Sequence, residues 1–140
     1  MRPRYETSKD LSAETAAMDL FASKFGYWYK KLPISYRLDY AIMKENEKAV
    51  VGVIEVKCRK FSWSRFPDLI LSLSKIMKMK QFEDVGIPAG LLLKNDDGLW
   101  LWKYARGYDD VTWGGRTISP RDDQDSEPIV HIHRSAFIKV

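Results

Sequence analysis

The chain has 140 residues, 45% hydrophobic and 30% charged, with a formal net charge of +4. That is room for one domain with a real core and too little for two. No apolar stretch is long enough to span a bilayer, and "MRPRYETSKD" lacks the apolar centre of a secretory signal. The single cysteine, Cys58, cannot close an internal disulfide. A membrane protein and a disulfide-framed secreted module are both set aside, and a reducing, cytoplasmic setting is expected.

In chain order, "SKDLSAETAAMDLFASKFG" (8–26) reads as a helix. Leu11, Met18, Phe21, Ala22 and Phe25 form its inward stripe, and Gly26 stops it. After Pro33, "SYRLDYAIM" (35–43) has strand composition, "KENEK" makes a turn, and "AVVGVIEVKCR" (49–59) returns as the second strand of a hairpin. The aromatic, basic "KFSWSRFP" is expected as a loop, with Trp63 the tryptophan most open to solvent. From Pro67 to about Val85 the spacing of Leu69, Ile70, Leu73, Ile76, Met77 and Phe82 predicts a second helix. "AGLLLK" and "LWLWKY" then read as strands around the turn "NDDG", and the remainder as short strands and loops at an edge. The order is that of an α/β or α+β layer fold.

Four charged residues break these apolar patterns. Glu55 and Lys57 lie two apart in the most β-branched strand, so they share one face. Asp39 interrupts the alternation of Leu38, Tyr40 and Ile42, and Glu14 sits on the inward stripe of the first helix. Buried carboxylates without compensation cost several kcal/mol each, roughly. A divalent cation with oxygen ligands would offset that cost. Charge is also uneven along the chain: from Lys57 to Lys80 seven Lys/Arg face one acid, Asp68. Such a segment suits a polyanion.

Asp39, followed sixteen positions on by Glu55-Val56-Lys57 and preceded by a helical Glu14, resembles the PD-(D/E)XK nuclease superfamily. Leu38 stands where the motif's name has proline. The run from "DLSAETA" through "YRLDYAI" and "VIEVKCR" to "LSLSKIMK" is similar to small phage-borne members, over about residues 8–94. The resemblance implies a restriction-endonuclease-like core, a central mixed β-sheet flanked by helices in the order α-β-β-(β)-α-β. It implies a metal-dependent DNA endonuclease in which Asp39, Glu55 and Glu14 hold Mg²⁺ or Mn²⁺. Lys57 would orient or deprotonate the attacking water. Lys75, Lys78, Gln81, Arg59 and Arg65 would then contact DNA phosphates. Residues 1–140 form one nuclease domain in this reading, with a core at about 8–105 and a C-terminal extension at 106–140. A homodimer is expected, because two strands need two sites, and the host cytoplasm is the expected location of a phage product.

Two other readings compete: a nuclease-like nucleic-acid-binding module that no longer cuts, within a larger assembly, and an interaction protein whose charged strand is structural. Other features carry less. "HIH" (131–133) offers only two ligands towards a zinc site. "DDQD" (122–125) lacks the glycine and terminal glutamate of a calcium loop. "TWGGRT" lacks Walker spacing. Cys58, adjacent to Lys57, faces away from it as buried filler.

Overall fold

The computed structural model describes residues 8–65, 67–115 and 126–140. It comprises α1 (Ser8–Phe25), β1 (Tyr27–Lys31), β2 (Tyr40–Lys44), β3 (Val50–Cys58), β4 (Asp68–Ser72), α2 (Leu73–Asp84), β5 (Ala89–Asn95), β6 (Gly98–Lys103), β7 (Asp110–Gly115), β8 (Ser126–His133) and β9 (Ile138–Lys139). The "DDQD" stretch lies outside the described residues.

The main sheet runs β1-β2-β3-β5-β6-β9, with β3 and β5 parallel and every other pair antiparallel. A parallel pair requires a crossover, here β4 followed by α2. A second sheet, β4-β8-β7, lies on the α2 side. This is a central mixed sheet with a helix on each face, as expected of a restriction-endonuclease-like fold.

Each face has its own core, and strand alternation decides which residue joins which. On one face Ala17, Met18 and Phe21 of α1 pack on Tyr40, Ile42, Ile54, Val56, Leu92 and Leu99. On the other, Val53, Leu91 and Leu93 meet Ile76 and Met79 of α2, Leu69 and Leu71 of β4, and Val130 and Ile132 of β8. Leu38 is buried in this second cluster, which suits a leucine at that position better than a proline of smaller apolar reach.

Three expectations need correcting. Residues 68–72 are strand β4, not the first turns of a helix. Leu69 and Leu71 point to the core while Ile70, between them, is exposed, which is a period of two. The second helix starts only after Ser72, whose hydroxyl caps the Ser74 N–H, and its Met77 is exposed. "YWYKK", for which the pattern predicts no element, is edge strand β1. In α1 the stripe is buried only at its centre, since Leu11 and Phe25 are exposed at the two ends.

Candidate active site

The hairpin β2–β3 sets the site. Tyr40 is paired with Ile54, and the Asp39 N–H donates to the Ile54 carbonyl, so Asp39 lies beside Glu55 at the mouth of the sheet. There Asp39 Oδ2 accepts the Val56 N–H at 2.7 Å. The acid is thus tied to the amide between Glu55 and Lys57.

Glu55 and Lys57 share the face turned towards α2 and the second sheet, while Cys58 packs on the α1 side, as its sequence position requires. Glu55 is 7% exposed. Burial, then the adjoining Asp39 charge, pushes its carboxyl up to about 8, although Lys75 at 3.3 Å pulls the other way. Lys57 donates to the Ile70 carbonyl at 2.6 Å. Burial, then Arg59, brings its ammonium down to about 8, against an opposing pull from Glu55.

Glu14 does not join this pair directly. It reaches the mouth from the α1 face, where its Oε1 lies 3.3 Å from Lys31 Nζ and 3.4 Å from the Tyr40 hydroxyl. Lys31 Nζ also lies 3.5 Å from Asp39 Oδ1, so this lysine links the two acids. Among the described residues no three His, Cys, Asp or Glu side chains gather closely enough to cage a metal ion. Lys31 was missed by the sequence reading; the alternation of Tyr27, Tyr29 and Lys31 in "YWYKK" was the available signal.

The donor set nevertheless suits an oxygen-ligated divalent cation. Two carboxyl groups adjoin, that of Glu55 with its pKa raised first by burial, and each has a lysine ammonium at 3.5 Å or closer. Lys31 and Lys75 neutralise the charge that such an ion would neutralise.

The expected DNA contacts divide. Arg59 and Arg65, with Lys57 and Lys60, line a cleft of about 480 Å³ completed by Phe61, Asp68, Leu69 and Ile70. Lys75 does not face outward as expected: its Nζ lies on Glu55 and donates to the Arg37 carbonyl. Charge balance against buried Glu55 draws it inward. Lys78 is half-buried and Gln81 exposed further along α2, and neither lines the cleft. Trp63 is not the open tryptophan expected, because it stacks on Trp100 at 3.9 Å with Phe137 edge-on. Trp113, at 72%, is the most exposed tryptophan among the described residues. His131 bonds Asp68 Oδ2 at 2.9 Å and Thr112 at 2.8 Å, and His133 bonds Ser135, so the "HIH" pair serves sheet and turn contacts.

A central mixed sheet with an Asp/Glu–x–Lys constellation at its mouth defines the class. The chain matches, over residues 1–140, the family described as "Phage putative PDDEXK endonuclease", and it belongs to that family. Among solved structures it is similar to Archaeoglobus fulgidus Hjc, a Holliday junction resolvase from an archaeal hyperthermophile. The TM-score is 0.57 at 15% identity, covering 91% of this chain and 94% of that one, a likeness of fold. No curated protein matches. Among the described residues no helix is long and apolar enough to cross a membrane.

Proposed function

We propose that this chain is a divalent-metal-dependent DNA endonuclease, with Asp39 and Glu55 as the direct ligands of Mg²⁺ or Mn²⁺. The observation that carries this reading is Asp39 bonded to the amide between Glu55 and Lys57, which gathers two acids and an amine at one mouth. Such an ion would supply charge neutralisation at the phosphoryl centre and activation of water. Glu14 supports the site through Lys31 or through water. Lys57, held by the Ile70 carbonyl, orients the attacking water. With its pKa lowered to about 8 it also has a neutral fraction able to accept a proton near neutral pH. Arg59 and Arg65 hold neighbouring phosphates as charge-assisted donors. Because the fold is like that of a Holliday junction resolvase, branched DNA belongs beside plain duplex in the substrate panel.

The test is conversion of supercoiled plasmid and of junction DNA with Mg²⁺ or with chelator. Cleavage is expected with Mg²⁺ only, and Asp39→Ala lowers it on the order of a hundredfold or more. Cleavage that survives chelator or Asp39→Ala would remove this site from the chemistry. One observation favours the alternative, a DNA-binding module that no longer cuts: Lys31 and Lys75 already neutralise the acids. Tight DNA binding with no product under any divalent ion would select it.

A further inference from the structure

We infer that the cleft beside Lys57 takes one unpaired nucleotide of a DNA strand, with its base on the cleft floor. This deepens the nuclease reading and rests on it, since it names the substrate class of the same site. The cleft begins where Lys57 bonds the Ile70 carbonyl, so an occupant abuts the amine of the candidate active site. Among the described residues its cationic side chains, Lys57, Arg59, Lys60 and Arg65, outnumber its acid, Asp68, which suits a polyanionic occupant. Its floor is of a different chemistry. Phe61 and Ile70 supply it, with Ile70 45% exposed although it sits mid-strand, while Leu69, which points to the core, only borders it.

Phosphates alone would leave that apolar surface against water, which is unfavourable. A base with its flat apolar face would cover it while its phosphates met the cations. A cleft of about 480 Å³ lies within the range of small-molecule sites, a size that suits a single nucleotide. Asp68 adds an acceptor on the wall, its Oδ2 bonded by His131 Nδ1. Such an acceptor can receive an amino group from a base edge. Extrusion of a paired base costs a few kcal/mol and is cheapest where pairing is already lost. The site therefore favours DNA with an unpaired nucleotide next to the bond that is cut: a bulge, a flap base or a branch point.

The experiment uses the full chain carrying Asp39→Asn, so that nothing is cut, and fluorescence anisotropy on three labelled DNAs of one sequence. These are a paired duplex, the duplex with a one-nucleotide bulge, and the same bulge as an abasic residue. The base-containing bulge is expected to bind about tenfold more tightly than the other two. Ile70→Trp, which fills the cleft, brings the affinity of that bulge down to that of the paired duplex measured with the same variant. Ile70→Gln, which removes the apolar floor at similar volume, does the same. Equal affinity for base and abasic bulges, or a preference that survives both variants, would overturn the assignment. If the wild-type chain cuts paired DNA with Mg²⁺ yet shows no such preference, the cleft proposal falls and the nuclease reading stands. If none of the DNAs binds, the cleft proposal falls, and cleavage of plasmid and junction DNA with Mg²⁺ decides the nuclease reading separately.

Discussion

Glu55 and Lys57 stand on one strand face with their charges displaced in opposite senses, and both displacements come first from burial. Glu55 in the folded chain keeps its proton up to about pH 8, whereas the unfolded chain releases it near 4.5. The folded state binds more protons across that window, so stability falls as pH rises through it. Lys57 behaves in the other direction. The folded chain gives up its proton at about 8 and the unfolded chain near 10.5, so stability recovers between those values. Metal-free protein is therefore expected to be least stable near pH 8, as urea unfolding at a series of pH values would measure. Glu55→Gln should flatten the limb below 8 and leave the limb above it. A flat wild-type profile would contradict the burial of these groups. Asp39, Glu55, Lys57 and Glu14 could be picked out from sequence because each interrupts an apolar pattern. Lys31 carries only the alternation of "YWYKK" as a signal and the inward turn of Lys75 carries none, since both pairings depend on which acids lie across the fold.

Elements were legible where a single period dominated. The hairpin β2–β3 and the pair β5–β6 each combine β-branched or leucine-rich runs with a polar turn. Strand β4 was hidden because Leu69, Ile70 and Leu71 form an apolar run that joins the helical spacing of α2, and only Ser72 marks the break. Its partner β8 brings Val130 and Ile132 to zero exposure in the core shared with α2 and β5. The chain beyond residue 105, expected as an extension, thus contributes to that core. Ile132→Ala should cost about 2–5 kcal/mol, with chemical unfolding remaining one transition by fluorescence and circular dichroism. A change within a few tenths of a kcal/mol, or two separate transitions, would mean that β8 folds apart from the rest.

At the scale of the whole molecule, one mouth holds the two acids, the amine and the cationic cleft, while the α1 face behind them is a sealed core. If the proposed function holds, one such mouth would cut one strand at a time, and simultaneous cuts in both strands of a duplex would call for two copies about a two-fold axis. Sedimentation of the Asp39→Asn chain with junction DNA is expected to give two chains per DNA, and one chain per DNA together with nicking alone would exclude the dimer. The proposed chemistry needs Asp39 and Glu55 to share one divalent ion. Calorimetric titration of Mn²⁺ into DNA-free protein at about pH 8 tests that without any cleavage. The predicted result is a saturable heat that Asp39→Ala and Glu55→Gln each abolish. Absence of heat in the wild-type chain, or heat unchanged in both variants, would contradict it.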